Sequence, residues 1–197
     1  MVASDHRRRT VRGARSRERV LDAAMAAFGE RGYEGASMSG IARKAGVTKS
    51  VIYDHFASKA ELHKALVEQQ ARELHAYVTD AVQAKAGDKA EKRLRAGVDA
   101  YFRFVEEHPA AWALLVRDPP ADPELLAFHA DLQIRAAGAM ASLIGSDRVT
   151  DPARRQRKEM QAEMLRTSIG GLARWWYDHP DVPRRRLVDA VMSLGWF

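Results

Sequence analysis

The apolar side chains of this chain recur at every third or fourth position, and no segment alternates apolar and polar residues over the length of a strand. Val20, Leu21, Ala24 and Phe28 follow this spacing, and later segments repeat it. A period near 3.6 is typical of helices with one buried face, whereas strands repeat every second residue. The pattern therefore predicts an all-α protein of about nine helices.

Glycine, proline and short polar residues predict where these helices begin and end. The first helix is expected from about Arg17 to Arg31, where Gly32 interrupts the apolar pattern. Asp122 and Asp151 each precede a proline, and a capping side chain followed by proline is a start signal. The other helices are expected near residues 37–45, 48–56, 58–85, 89–108, 110–116, 123–145, 152–179 and 183–197.

The segment from Ser37 to Lys59 predicts two short helices joined by a tight turn. Ser37 and Thr48 are suited to cap the two helices, and Gly46 can adopt the left-handed conformation that ends the first of them. Such a helix-turn-helix is a common way to place a helix in the DNA major groove. A purely structural helical corner would contain the same turn, so the turn alone leaves both interpretations open.

The second of these short helices is expected to present hydrogen-bond donors and an aromatic ring outward. Counted from Thr48, the apolar side chains of Val51, Ile52 and Phe56 fall on its inner side. The outer positions are Lys49, Ser50, Tyr53 and His55.

The string I-A-x-x-A-G-V-T-x-S-x-x-Y-x-H-F-x-x-K-x-x-L, from Ile41 to Leu62, resembles the DNA-binding domain of tetracycline-repressor-type (TetR family) regulators. The resemblance implies a three-helix DNA-binding domain over residues 17–57 and a ligand-binding and dimerisation helical domain over residues 58–197. It also implies phosphate contacts from Ser37, Thr48, Tyr53, His55 and Lys59.

Base contacts are assigned to Lys49, Ser50 and Val51, because lysine can donate to guanine and valine can touch a thymine methyl group if it is not wholly buried. Asp54 is unfavourable for phosphate contacts at this position, since its carboxylate would repel phosphate unless it turns away or pairs with Lys59.

The positive charge of the chain is concentrated around this motif. The net charge is +6, and residues 1–60 contain 12 basic and 6 acidic residues, which leaves 20 of each in the remainder. A basic end beside a neutral body is the electrostatic footprint of a domain that meets a polyanion. Residues 1–16 are expected to form a basic disordered arm, either lying in a minor groove or serving as a passive tail.

The C-terminal helices are expected to form a bundle with a ligand cavity, as the resemblance implies, although ordinary core packing explains the same apolar residues. The candidate lining residues are Phe102, Trp112, Leu115, Phe128, Met140, Met164 and Trp175, with Trp176 and His129 as further possibilities.

The last two helices are expected to form a homodimer interface, as the resemblance also implies. The paired glycines Gly170 and Gly171 would then permit close approach of another backbone. The apolar tail that fits this role comprises Leu187, Val191, Leu194, Trp196 and Phe197, with intrachain core packing as the alternative for some of them.

Composition and missing motifs exclude several other classes of function. The chain has no cysteine, so disulfides and thiol chemistry are excluded. We find no apolar stretch long enough for a membrane span, no signal-peptide core, no nucleotide-binding or nucleophile motif, and no histidine pair at metal-binding spacing. We expect a cytoplasmic location and no cofactor.

The sequence therefore predicts a dimeric transcriptional regulator, a repressor that leaves a palindromic double-stranded operator when it binds a small hydrophobic effector. A ligand-independent or sequence-neutral DNA-binding protein is the alternative. An enzyme is not expected.

Overall fold

The structure, a computed structural model, describes residues 2–117, 120–143 and 149–195, and all regular structure in these ranges is helical. The prediction of an all-α protein with about nine helices is therefore confirmed. The elements are α1 (Val2–Gly35), α2 (Met38–Lys44), α3 (Lys49–His55), α4 (Lys59–Gln83), α5 (Ala90–Glu107), α6 (Pro109–Trp112), a π-helical turn (Ala113–Arg117), α7 (Pro123–Leu143), α8 (Pro152–Tyr177) and α9 (Arg184–Met192).

Side-chain caps begin the three helices around the helix-turn-helix, as predicted. The hydroxyl oxygens of Ser37, Thr48 and Ser58 accept hydrogen bonds from backbone amides three residues ahead, at 3.1, 3.3 and 3.0 Å. Gly46 has φ 64°, which is the left-handed conformation expected in the turn between α2 and α3. Short polar residues therefore set the boundaries of this motif locally.

The N-terminal segment differs from the expected disordered arm over residues 1–16. Helix α1 already begins at Val2, while Met1 lies outside the described residues. Arginine and alanine are good helix formers, so this segment can extend a helix that the buried residues Val20 and Leu21 hold in place. Near its other end, Gly32 leaves the helical conformation with φ 66° and ψ 176°, where the sequence predicted an interruption.

Two further expected boundaries are the ends of α7 and α9. Helix α7 is described to Leu143, so its expected end near Gly145 lies outside the described residues. Helix α9 ends at Met192, earlier than expected, and Gly195 beyond it takes a positive φ of 67° that is not helical.

The first three helices and the start of α4 enclose one apolar core. Its members include Val20 from α1, Ile41 from α2, Ile52 from α3 and Leu62 from α4, all essentially inaccessible to solvent. Burying a side chain of this size contributes about 1.5 to 3 kcal/mol. Helix α3 is thus held on a rigid base formed by its neighbours.

Helix α4 links this N-terminal unit to the rest of the protein. It has 25 residues and is therefore about 37 Å long at 1.5 Å per residue. Leu62 and Leu66 belong to the N-terminal core, whereas Val78 belongs to the core of the C-terminal bundle. A single helix thus takes part in both cores.

The C-terminal bundle packs α4, α5, α8 and α9 around buried aromatic residues. The indole N–H of Trp112 donates to the Tyr101 hydroxyl at 3.1 Å, and that of Trp176 donates to the Val182 carbonyl at 2.7 Å. Both polar atoms are therefore satisfied in a largely apolar core. Among the described residues, no helix is long and apolar enough to cross a membrane.

Candidate nucleic-acid interface and bundle cavity

Helix α3 presents the outer surface that the sequence predicted. Ile52 is fully buried, whereas Lys49 and Ser50 are exposed and Tyr53 is 45% exposed. The Lys49 ammonium lies 6.0 Å from the centroid of the Tyr53 ring. Val51 is half-buried, so its side chain is only partly available for an apolar contact. The helix can therefore offer donors and one aromatic ring to a groove.

The two capping residues Ser37 and Thr48 are exposed at the starts of α2 and α3. Each hydroxyl oxygen accepts a hydrogen bond from its own helix, which leaves the hydroxyl proton available to a phosphate oxygen. Their geometry is compatible with the predicted phosphate contacts, which stay predictions.

His55 is half-buried and joins α3 to α1. Its Nε2 lies 2.6 Å from the Ser16 hydroxyl oxygen, and that hydroxyl donates its single proton to the Gly13 carbonyl at 2.8 Å. The serine must therefore accept, and His55 Nε2 must carry the proton. The sequence predicted a phosphate contact for His55, and the structure adds a contact that positions the end of α3.

Lys59 is engaged with the end of α1. Its Nζ donates to the carbonyls of Tyr33 at 2.8 Å and Ala36 at 3.2 Å, and it lies 3.5 Å from that of Glu34. The same ammonium sits 4.3 Å from the centroid of the Tyr33 ring. A phosphate would have to compete with these carbonyls, so the predicted phosphate contact of Lys59 has a structural competitor.

Sequence reasoning missed this role of Lys59, although the last carbonyls of any helix lack partners within the helix and need other hydrogen-bond donors. Asp54 is exposed, and the Lys59 ammonium contacts carbonyl oxygens instead of its carboxylate. Arg17 was also missed: its guanidinium lies 5.2 Å from the Phe56 ring centroid, beside the end of α3. It adds an exposed positive charge to this surface.

A cavity of 550 Å³ lies in the C-terminal bundle, between α4, α7 and α8. Its walls are mostly apolar, and they include Leu115 and Met140 from the predicted set. The size and the apolar lining are typical of small-molecule sites.

The other five predicted lining residues do not line this cavity. Phe102 and Trp112 are completely buried in core packing, and Phe128 packs against the ring of His129. Met164 is 61% exposed and Trp175 is 44% exposed, so both lie on the outer surface of α8. Helical spacing identifies residues that share a face, but it does not tell whether that face meets core, cavity or solvent.

Two buried histidines meet where α1, α4 and α7 converge. The rings of His63 and His129 lie 5.5 Å apart, and the edges of Phe28 and Tyr33 contact His63 from α1. His63 Nδ1 and His129 Nε2 have no hydrogen-bond partner. Burial, with smaller contributions from the charges of His129 and Lys59, lowers the pKa of His63 to about 4.

Burial also lowers the pKa of His129, so both rings are neutral near pH 7. The sequence suggested His129 as a possible cavity residue, and it lines a second hollow beside the central one. His63 was missed because no local pattern marks it. Within the described part of the chain, no group of three potential side-chain ligands could hold a metal ion.

The residues of the apolar tail that were expected at a dimer interface differ in their burial. Leu187 and Val191 are each 2% exposed and pack in the core of their own chain, which corrects their assignment to a dimer surface. Leu194 is exposed. Trp196 and Phe197 lie outside the described residues.

Helices α7 and α8 expose other apolar side chains. Met160, Met164 and Trp175 are exposed along α8, and Ile134 is exposed on the neighbouring helix α7. Met160, Met164 and Trp175 are separated by 4 and 11 residues, so they share one face of α8. This surface is a candidate interface that apolar periodicity in α9 did not reveal.

Comparison with known proteins identifies both parts of the chain. Residues 20–66 match the family model described as bacterial regulatory proteins of the tetR family. Residues 90–197 match the model described as the tetracyclin repressor-like C-terminal domain.

Among curated proteins, the transcriptional activator FasR of Mycolicibacterium smegmatis is 29% identical over 181 residues, which cover 91% of this chain and 81% of that protein. An uncharacterized HTH-type transcriptional regulator of Mycobacterium tuberculosis is 31% identical over 144 residues, covering 71% of this chain and 68% of that protein.

Solved structures agree on the fold. A TetR-like transcriptional regulator from Rhodococcus has a TM-score of 0.71 at 24% identity, covering 92% of this chain and 93% of that one. The fatty acid degradation regulator FadR of Bacillus halodurans has a TM-score of 0.74 at 18% identity, covering 91% and 97%. The helix-turn-helix, the helical bundle and the two family matches together make this chain a member of the TetR family of transcriptional regulators.

Proposed function

We propose that this TetR-family protein is a homodimeric repressor that binds a palindromic operator and leaves it when a small hydrophobic ligand enters the bundle cavity. The observation that carries this proposal is the position of α4, whose residues contribute both to the core beneath α3 and to the wall of the cavity. A ligand that displaces α4 would therefore move the base on which α3 rests.

DNA reading is assigned to the exposed side of α3. Lys49, Ser50 and Val51 would meet base edges, whereas Ser37, Thr48, Tyr53 and His55 would contact phosphates. Phosphate contacts supply affinity and register, and base contacts supply sequence preference. The excess of basic residues in residues 1–60 supports this division, since it puts positive charge on the end that would approach DNA.

A homodimer would match a palindromic operator. Two copies of α3 related by a two-fold axis would read half-sites about 34 Å apart when one helical turn separates them. The exposed apolar side chains of α8, Met160, Met164 and Trp175, favour an interface that includes this helix together with α9. The protein would act in the cytoplasm, on chromosomal DNA, and without catalysing a reaction.

Activation of transcription is a second candidate. The Mycolicibacterium relative is named as an activator, and its similarity extends over most of both chains. A regulator of either kind would use the same DNA-binding surface, and the position of the operator relative to the promoter would decide the effect.

The experiment begins with selection of a duplex from a random pool, followed by titration of that duplex and a scrambled one at several salt concentrations. We expect the selected site to be palindromic and to bind at least 10³-fold more tightly than the scrambled duplex. The natural promoter that contains this site is then transcribed in vitro with and without the protein, which distinguishes repression from activation. Equal affinity for both duplexes would instead support a sequence-neutral DNA-binding protein.

A further inference from the structure

We propose that the bundle cavity takes an elongated amphipathic anion: an apolar chain of a dozen or so carbons with a carboxylate or phosphate head. The inference rests on the proposed function only in treating this ligand as the effector. The shape of the cavity, its glycines and its charges support this assignment.

The cavity is long because three hollows share walls along α8. The central hollow of 550 Å³ shares Val78, Tyr101 and Ile169 with a smaller hollow of 120 Å³, and it shares Arg166 and Gly170 with another of 470 Å³. Across the three, the α8 residues of the walls run from position 158 to position 174, which is about 24 Å at 1.5 Å per residue. A chain molecule fits this shape better than a compact ring system does.

The glycine pair of α8 faces this space. A Cβ atom built on Gly170 or Gly171 would meet no atom within 4 Å, and both residues line the 470 Å³ hollow. Close packing within this chain therefore does not explain them, although each glycine in a helix interior costs about 1 kcal/mol relative to alanine. Gly170 lines the central hollow as well, so a side chain at this position would take up space where the two hollows adjoin.

The charged residues of the walls are almost all basic. The C-terminal portion as a whole has 20 basic and 20 acidic residues beyond position 60, but among the residues that the structure describes Glu68 is the one carboxylate that lines the three hollows. The cations that line them are Arg72, Arg93, Arg135, Lys158, Arg166 and Arg174. Three of these cations form ion pairs, Arg72 with Glu68, Arg135 with Asp131 and Arg166 with Glu163. The positive charge that remains beside an apolar space favours an anion over a neutral or cationic molecule of the same size.

The head group is assigned to the end of the cavity that contains Arg93. Arg166 is already held by Glu163 at 2.5 Å and by Gln133 at 2.6 Å, and Arg174 donates to the Val116 carbonyl. Arg93 is half-buried, and no ion pair joins it to a carboxylate of the described residues. Its guanidinium can therefore receive the anion, while the chain extends along α8 toward Gly170.

The test measures binding to the free full-length protein by calorimetry, below the micelle concentration of each compound. The probes share a twelve-carbon chain: dodecanoate, dodecyl phosphate, dodecanol and dodecyltrimethylammonium, with hexanoate as the short anion. We expect the two anions with long chains to bind at least tenfold more tightly than the other three probes. Whichever long anion binds more tightly identifies the head group as carboxylate or phosphate.

Two variants locate the ligand. Arg93→Gln should weaken dodecanoate at least tenfold and leave dodecanol nearly unchanged. Gly170→Leu should weaken every long-chain probe, because leucine would occupy the space where the two hollows adjoin. Gly138→Leu is its matched control, since Gly138 is also helical, has open space around its Cβ position and lines none of the three hollows.

Dodecanol binding as tight as dodecanoate would overturn the inference, and so would an Arg93→Gln variant with unchanged preference for anions. Operator affinity is measured separately, with and without each probe. If dodecanoate binds through Arg93 and Gly170 but leaves operator affinity unchanged, the inference stands and the ligand response of the proposed function fails. If dodecanol alone releases the operator, the proposed function stands and the inference is overturned.

Discussion

Acidification is expected to destabilise this protein through the buried histidine His63. Its ring is 1% exposed and is surrounded by Phe28 and Tyr33 from α1 and by His129 from α7. The Lys59 ammonium adds a positive charge nearby, and His129 would add another if it were protonated. Protonation of His63 would therefore bury a charge beside other cationic groups, with no carboxylate acting on it.

The magnitude follows from the lowered pKa. His63 has an ordinary value of 6.5 and a value of about 4 in the folded protein, so the unfolded chain binds the proton more readily between these values. Stability is therefore complete above pH 6.5 and is lost as the pH falls toward 4. At about 1.36 kcal/mol per pKa unit, the loss is about 2 kcal/mol at pH 5 and about 3 kcal/mol at pH 4.

The assay is urea unfolding at pH 7, 6 and 5 for the natural protein and for His63→Phe, which keeps the aromatic contacts but cannot titrate. Between pH 7 and 5, the natural protein should lose about 2 kcal/mol more of its free energy of unfolding than the variant does. His75→Phe, at an exposed position of the same helix, is the control and should follow the natural protein. His63→Gln repeats the test with a polar side chain in case phenylalanine is too large for the site.

An equal loss in His63→Phe and in the natural protein would refute the reasoning, because the pH dependence would then arise from other groups. A larger loss of unfolding free energy in His63→Phe than in the natural protein would also refute it.

Three further predictions concern the DNA-binding end. Lys49→Ala should relax sequence preference by about 1 to 3 kcal/mol, whereas Tyr53→Phe should weaken operator and scrambled duplex alike, as titration of both duplexes would reveal. Lys59→Met should lower the free energy of unfolding in urea by about 1 to 3 kcal/mol, because the carbonyls at the end of α1 lose their donor. If the variant is as stable as the natural protein but the salt dependence of its DNA binding has a slope reduced by about 1, Lys59 contacts a phosphate instead. Deleting residues 1–12 should flatten the salt dependence of DNA binding while the circular dichroism of the remaining helices is retained, and an unchanged slope would make this segment a passive tail.

Local sequence signals predicted the DNA-binding unit well because its boundaries depend on interactions between near neighbours. The caps Ser37, Thr48 and Ser58 each bond to an amide three residues ahead, and Gly46 supplies a conformation that few other residues adopt. Such interactions need no knowledge of the rest of the fold. The same is true of helix periodicity, which indicated the helical class of the whole chain.

The cavity and the buried polar contacts depend on which helices meet, and periodicity does not encode this. Phe102, Leu115 and Met164 have similar apolar spacing, but they lie respectively in the core, on the cavity wall and on the outer surface. The contact of Lys59 with Tyr33 joins residues 26 positions apart, and the contact of His63 with His129 joins α4 to α7. No local pattern could have paired them.

The sequence by itself thus determined the helical class, the helix-turn-helix with its caps, and the side of α3 that faces outward. Its charge distribution also determined which end is suited to meet DNA. Only the tertiary structure decided that Lys59 contacts the carbonyls at the end of α1, that His63 is buried beside His129, and that Gly170 lines a mostly apolar cavity. The physical reason is that capping and periodicity act within a few residues of one helix, whereas burial, pKa shifts and cavities arise where separate helices pack together.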